Sequence, residues 1–401
     1  MNHKNGVQTE PLNVAIIGCG QVGEREASAV VSIPALRLVA VSDIGPAFRD
    51  LALRLANKHD CDTVHDWRHL VTRDDIDIVI VSTPTSFHKD ISIEAMRHGK
   101  HVICEKPLAA TPQDAEQMLL TARVEGVKLM TNFNHRSHDH NQKAKNILDQ
   151  GLIGRPVFVR GRIGHGRFVV GPSPLGEGRF QCVNTWYTDR NQSGGGTVTD
   201  NGVHLLDLAR WFMDDEFVEV QGMATHNLDL CERTIDGSWS FDKHSECEDN
   251  GLGLFKTKDG RVATLHSSWV QWQGYLYVEV FGTNGFIVVN NDQIQGSVSC
   301  HLFSRHGEPI ANTIEVPALM RPDPSWRLQI EEFVTAIREN REPRTNGYDG
   351  LQAMRMVDGL YRSAASGKSE SIPTQQPSSD RLVGVSAYRG NGQAQPTAQI
   401  L

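Results

Sequence analysis

No Cys-x-x-Cys pair occurs in this chain, and its seven cysteines (Cys19, Cys61, Cys104, Cys182, Cys231, Cys247 and Cys300) are odd in number and scattered. That pattern argues against a disulfide framework or a structural zinc site. It suits a reducing compartment, so a cytoplasmic location is expected. Apolar runs are short as well. None approaches the roughly 20 residues that a membrane-spanning helix needs, and the polar stretch Met1–Pro11 lacks the apolar segment of an export signal. Basic residues are in deficit, 40 against 48 acids for a net charge of −8, which speaks against a nucleic-acid or anionic-membrane partner. What is present is a globular composition of 39% hydrophobic and 22% charged residues over 401 positions, enough for two ordinary domains.

The first third alternates short apolar runs with helical stretches. Asn13–Ile17, Leu36–Ser42, Asp77–Ser82, His101–Cys104 and Lys128–Phe133 read as strands, and Val22–Ser32, Ala47–Lys58, Ile91–His98 and Pro112–Glu125 as helices. Strands separated by helices imply parallel βαβ units and a doubly wound sheet. After about His135 the texture changes. A helix at Asn141–Gln150 leads into a strand at Pro156–Ile163, and Gly251–Lys258, Arg261–Trp269, Tyr275–Phe281 and Phe286–Val289 follow as further strands. Asp259-Gly260 and Asn284-Gly285 separate them in pairs, and both dipeptides suit tight hairpins because they accept positive φ. This half is expected to be α+β with a large, mainly antiparallel sheet, completed by helices near Trp326–Arg338 and Gly350–Ala365.

Gly18-Cys19-Gly20-Gln21-Val22-Gly23 directly follows the first strand and opens the first helix. In that setting Gly18 permits the tight turn, Gly20 lets the backbone approach a pyrophosphate, and Gly23 lets helix and strand pack closely. The helix N-terminus offers free amides to the phosphates. Asp43, 20 residues beyond Gly23, ends the second strand, where it can accept hydrogen bonds from a ribose diol and repel a 2′-phosphate. NAD is therefore expected over NADP, with Arg49 the residue that could reach a 2′-phosphate instead. A structural turn beside a solvated Asp43 is the plainer alternative, and it leaves the strand–turn–helix context unexplained.

Three further segments carry polar groups where a plain core would not, the first two at the carboxyl ends of strands, where a doubly wound sheet binds ligands. In Thr83-Pro84-Thr85-Ser86-Phe87-His88, Pro84 is expected to shape a wall of the cofactor crevice, and His88 reads as a surface or helix-start histidine without a direct catalytic role. In Glu105-Lys106-Pro107, Lys106 would project into the crevice, although an exposed loop lysine accounts for the residue equally well. Asp200 and His204 are four apart, hence on one helix face, where a carboxylate can orient an imidazole for proton transfer. A capping Asp200 and a core His204 are the bland alternative. The run Gly194-Gly195-Gly196 just upstream favours the site, since close backbone approach to a ligand calls for glycine. His135, His138 and His140 lack convincing ligand spacing, so no metal is expected.

In this order the segments resemble the glucose–fructose oxidoreductase, inositol dehydrogenase and rhizopine-catabolism family (Gfo/Idh/MocA). The resemblance is carried by the glycine loop, Thr83-Pro84 with His88, Gly99 through Ala109 around Glu105-Lys106-Pro107, and Gly194 through Asp207, and it covers roughly residues 12–366. It implies an NAD-binding Rossmann domain at 12–134 and an α+β substrate and oligomerisation domain at 135–366; outside it lie a polar extension at 1–11 and, by its Ser, Gln, Pro and Gly content, a loose tail at 367–401. It also implies an NAD-dependent dehydrogenase that oxidises a secondary hydroxyl of a cyclitol, sugar or sugar derivative. Lys106, Asp200 and His204 would surround the reacting carbon, with Asn184, Trp186 and Tyr187 facing the substrate. Which of Lys106 and His204 is the formal base stays open. The cofactor would be held by Gly18 to Gly23 (including Cys19, Gln21 and Val22), Asp43, Thr83, Pro84, His88, Glu105 and Lys106. The open sheet face would form a homodimer or homotetramer. Two rivals are an NAD-using glycosidase of the same fold, which needs no net cofactor turnover, and a non-catalytic sugar or cofactor sensor. The glycine-rich Gly164–Gln181 reads either as a lid, with Arg167 or Arg179 pairing an anionic group, or as an ordinary surface or subunit-contact loop.

Overall fold

Runs such as Val14–Ile17 and Ile78–Val81 contain only apolar residues, and every one of these is at most 1% exposed, so they belong in a sheet covered on both faces. A computed structural model describes residues 10–45, 49–164, 185–227, 230–233, 239–243, 247–271, 274–291, 296–303, 309, 316–318 and 324–377. Strands β1 (Leu12–Ile17), β2 (Leu36–Ser42), β3 (Asp62–Val64), β4 (Ile78–Val81), β5 (His101–Cys104) and β6 (Leu129–Thr131) pair in parallel in the order β3-β2-β1-β4-β5-β6. Helices α1 (Gln21–Val31), α2 (Arg49–His59), α3 (Trp67–Val71), α4 (His88–Arg97) and α5 (Pro112–Glu125) link them. The strand order reverses between β1 and β4, which opens a crevice at their carboxyl ends.

The second sheet is mostly antiparallel, as expected. After α6 (Asp139–Asp149), β7 (Pro156–Gly164), the short helix α7 (Arg190–Ser193), α8 (Val203–Met213) and β8 (Phe217–Thr225) come a separate hairpin of β9 (Leu230–Arg233) with β10 (Trp239–Lys243), then β11 (Asn250–Thr257), β12 (Val262–Ser268), β13 (Tyr275–Gly282), β14 (Gly285–Asn291), β15 (Gly296–Leu302) and β16 (Val316–Ala318). The chain returns through α9 (Ser325–Arg338) and α10 (Gly347–Ser366) to β17 (Glu370–Ser371). Nine of these strands run in the order β16-β15-β14-β13-β7-β12-β11-β8-β17, with only β7 and β12 parallel. α8 and α10 cover one face. Gly161 in β7 is what lets α8 settle there, because a β-carbon would stand 2.6 Å from Leu205 Cδ1. The other face leaves Met223, Leu252 and Leu254 exposed.

Three expectations are revised. Gly260 does take positive φ at the β11–β12 turn, but neither Asn284 nor Gly285 does at the β13–β14 turn. That turn instead docks on a neighbouring segment, where the Asn284 and Thr283 amides donate to the Ile153 and Arg155 carbonyls. Asp200 lies not in a regular helix but in a π-helical turn, Val198–Gly202, that feeds α8. Nor does a loose tail begin at residue 367. Glu370 and Ser371 pair with β8, the Ile372 amide donates to the Val218 carbonyl (2.8 Å), and Arg355 and Tyr348 hold the carbonyls of Gln375 and Thr374. Composition misleads here because an edge strand needs backbone partners more than apolar residues. Residues 378–401 lie outside the described residues.

Ile372 is 4% exposed beneath this edge. Ile372→Ala is expected to lower stability by about 2–4 kcal/mol in urea denaturation. An unchanged midpoint would show that the segment contributes nothing to the core.

Candidate active site

The glycine loop is built for close approach. Gly18 has φ +103°, and a β-carbon there would stand 2.5 Å from the Ser82 carbonyl. At Gly23 it would stand 2.0 Å from the Gly18 oxygen. Gly20 is different: a β-carbon would meet nothing within 4 Å, so the space over the α1 N-terminus is open. Asp43 accepts from the Cys19 amide (2.8 Å) and the Ile44 amide (2.7 Å), which orients its carboxylate beside the loop. Burial raises its pKa against those two bonds. Cys19 thus spends its amide on Asp43, and its thiol points to the Ser42 carbonyl. An open cradle, helix amides and an oriented carboxylate fit a dinucleotide. Arg49 opens α2 and is exposed.

His88 is not on the surface. It is 1% exposed, with Nδ1 2.9 Å from the Pro107 carbonyl and Nε2 2.9 Å from the Thr83 carbonyl. It therefore ties together the two loops that follow β4 and β5. Each ring nitrogen thus sits against a protein carbonyl, which gives His88 a bracing role between these loops. Thr83 keeps a buried hydroxyl at the cleft with no hydrogen-bond partner among the described residues.

Lys106 and Asp200 meet from the two halves of the chain. Lys106 Nζ donates to Asp200 Oδ1 and to the Asp200 carbonyl, both at 2.9 Å. Fully buried Trp269 donates from Nε1 to Asp200 Oδ2 (3.1 Å). With both carboxylate oxygens engaged, no hydrogen bond joins Asp200 to His204, which corrects the expected orienting role. Stacking holds His204 instead: its ring lies 4.1 Å and 16° from that of His135, with Phe133 edge-on at 6.1 Å. Lys106, His135, Asp200 and His204 line a cleft of about 230 Å³ together with Trp186 and Tyr187, whose rings stack 3.8 Å apart. Asn184, Arg167 and Arg179, with residues 165–181 of the expected lid, lie outside the described residues, while Gly164 ends β7.

Residues 12–133 match the model of an oxidoreductase family with an NAD-binding Rossmann fold, and residues 141–288 match the Gfo/Idh/MocA C-terminal domain. The chain belongs to the Gfo/Idh/MocA family. It is an oxidoreductase, and its cofactor is NAD. It is 27% identical to inositol 2-dehydrogenase of Rhizobium meliloti (strain 1021), over 90% of this chain and 99% of the relative. It is 26% identical to D-glucoside 3-dehydrogenase of Escherichia coli (strain K12), over 91% and 98%. The solved structure of a levoglucosan dehydrogenase in complex with NADH shares the fold at TM-score 0.79 and 23% identity, covering 91% of this chain and all of that one.

In this Gfo/Idh/MocA chain the cleft's charge state follows from burial and neighbours. Burial would discharge Lys106, but Asp200 and the other acidic groups around it hold its pKa above the usual lysine value. Burial, then the Lys106 charge, keeps His204 well below the usual imidazole range. An ammonium donor thus faces a neutral imidazole.

Sequence reasoning missed the groups that set Asp200 in place. Glu248 accepts from the Gly196 amide (3.0 Å) and the Val198 amide (2.9 Å), and Tyr361 donates to it (2.8 Å). The triple glycine serves this packing, because β-carbons at Gly194, Gly195 and Gly196 would collide with Ala110, the Tyr361 hydroxyl and Glu248. Only Gly195 also lines the cleft. No local pattern marked Glu248, Trp269 or Tyr361, which lie at least 48 residues from Asp200.

Gly20→Ala should leave the melting temperature unchanged yet weaken NAD binding about tenfold or more, roughly 1.4 kcal/mol, while Gly18→Ala should cost about 1–3 kcal/mol of stability. Calorimetric NAD titration and thermal melts check both, and undiminished NAD affinity in Gly20→Ala would place the phosphates elsewhere.

Proposed function

We propose that this Gfo/Idh/MocA enzyme reversibly oxidises a secondary hydroxyl of a cyclitol, sugar or sugar derivative. The observation that carries the proposal is a charged Lys106 fixed on Asp200 opposite a neutral His204 in one cleft. Relatives named inositol 2-dehydrogenase and D-glucoside 3-dehydrogenase support the substrate class.

NAD supplies the hydride acceptor. The chain's own groups handle the proton and the charge. His204 accepts the hydroxyl proton at a ring nitrogen, a task for which a depressed pKa keeps it ready. Lys106 donates to the same substrate oxygen and stabilises the alkoxide charge that develops as the hydride leaves. Asp200 keeps Lys106 charged and aimed, and Trp269 keeps Asp200 in place. Lys106 is thereby assigned as the electrophilic donor and His204 as the base. Trp186 and Tyr187 offer an aromatic wall suited to the C–H face of a sugar. The exposed Met223, Leu252 and Leu254 support an oligomer through the open sheet.

A screen of inositols, aldoses and glycosides with NAD, read as NADH absorbance, tests the substrate class. Lys106→Ala and His204→Ala should each cut turnover about 100-fold or more with little change in NAD affinity. Near-normal turnover in either variant removes that residue from the proton path, and sugar release without NADH would point to the glycosidase chemistry. Asp43 is also expected to make NAD bind more tightly than NADP. Equal affinities in calorimetry would shift that role to Arg49.

A further inference from the structure

Beneath the Lys106 loop lies a pair of acids that the mechanism above does not use. Glu26, on α1, is 0% exposed, and Glu105, directly after β5, is 6% exposed. A single nitrogen, Asn132 Nδ2, donates to a carboxyl oxygen of each: to Glu26 Oε1 at 2.9 Å and to Glu105 Oε1. Ser82 Oγ donates to the second oxygen of Glu26, and the Lys106 amide donates to the second oxygen of Glu105 (3.2 Å). No ion pair reaches Glu26 among the described residues. The groups facing the pair are Lys106 from the loop itself, the Cys104 thiol from β5, Ser82 after β4 and Asn132 after β6.

Two ionised carboxylates on one amide nitrogen, away from water and with one nearby ammonium, would repel strongly. Like-charged carboxyls in that position retain a proton and share it. We propose that Glu26 and Glu105 hold one proton between them, and that this shared proton positions the loop that carries Lys106. Glu26 is then the protonated partner and donates to Glu105, which in turn accepts the Lys106 amide. Burial, then the charge of Glu105, raises the Glu26 carboxyl well above its ordinary range, and burial pushes Glu105 up to about 7 despite Lys106. Glu26 is a positioning residue, since it acts through Glu105 and the loop. Only the consequence for Lys106 rests on the function proposed above; the shared proton does not.

The sign of the pH effect follows. Folded-state values raised above the ordinary 4.5 contribute stability that is fully present below pH 4.5 and is lost as pH rises, through about 7 for Glu105 and later for Glu26, the partner that keeps the proton. Glu26→Gln places an amide where the protonated carboxyl sits and can still donate to Glu105. It should match the wild type in melting temperature at pH 5 and exceed it by about 2–4 °C or more at pH 8.5. The infrared C=O band of a protonated carboxyl should persist in the wild type at pH 8, where Glu105 has ionised, and be missing from Glu26→Gln. An equal loss of stability at both pH values, or no such band in the wild type, overturns the shared proton. If Glu26→Gln does not fold, the wild-type band decides alone, with Glu105→Gln as the second variant to assign it. In turnover, the wild-type pH profile should bend where the pair loses its shared proton, above the pH 7 at which Glu105 ionises, and that of Glu26→Gln should not bend there. A bend that survives the substitution overturns the link to Lys106 while leaving both the shared proton and the proposed chemistry standing.

Discussion

The bond from Lys106 to Asp200 is the contact on which the site depends. It joins a loop at the edge of the parallel sheet to a π-helical turn packed on the antiparallel one, and Lys106 grips both the carboxylate and the carbonyl of Asp200. A buried ammonium without that partner would lose its proton. With it, Lys106 remains a cation and its field helps to keep His204 neutral. The division of roles between donor and base is thus a product of how the two halves dock, not a property of either residue alone.

Placement of Asp200 is a matter of missing side chains as much as of bonds. Gly194, Gly195 and Gly196 let the turn press against Ala110, Tyr361 and Glu248, and Gly161 lets α8 lie close on the sheet. Glu248 then captures two backbone amides at the start of the turn, as a capping residue would, but from a distant part of the chain. The C-terminal end of this layer is secured by a buried ionic cluster. Arg136 binds Asp207 and Asp349, while Arg210 binds Asp349 and Glu216, so the exit from the first sheet, α8 and α10 share one set of charges. Such a cluster costs desolvation and repays it in geometry. A shift of α8 would leave charges unpaired.

Loop bracing follows the same logic on the cofactor side. His88 spans the two loops after β4 and β5, Glu105 holds the Lys106 amide, and Asn132 links Glu105 to Glu26 on the helix that starts at the glycine loop. The dinucleotide cradle and the proton-handling residues are thus connected through buried polar groups rather than through the apolar core.

Local signals carried much of the design. Short apolar runs marked five of the six parallel strands, all but β3, the Asp259-Gly260 dipeptide marked a hairpin, and the spacing of Gly18, Gly20, Gly23 and Asp43 revealed the cradle, because each of those properties is set within a few residues of chain. The order of Lys106, Asp200 and His204 identified the candidate site, but not its wiring. The edge strand at Glu370, the pairing of Asp200 with Trp269, the stacking of His204 on His135 and the meeting of Glu26 with Glu105 join residues far apart in sequence. Sequence alone determined which chemical groups the chain possesses and which backbone turns it can make. Tertiary structure alone decided which of those groups are charged, because burial and the nearest opposite charge, not residue type, set where a proton resides.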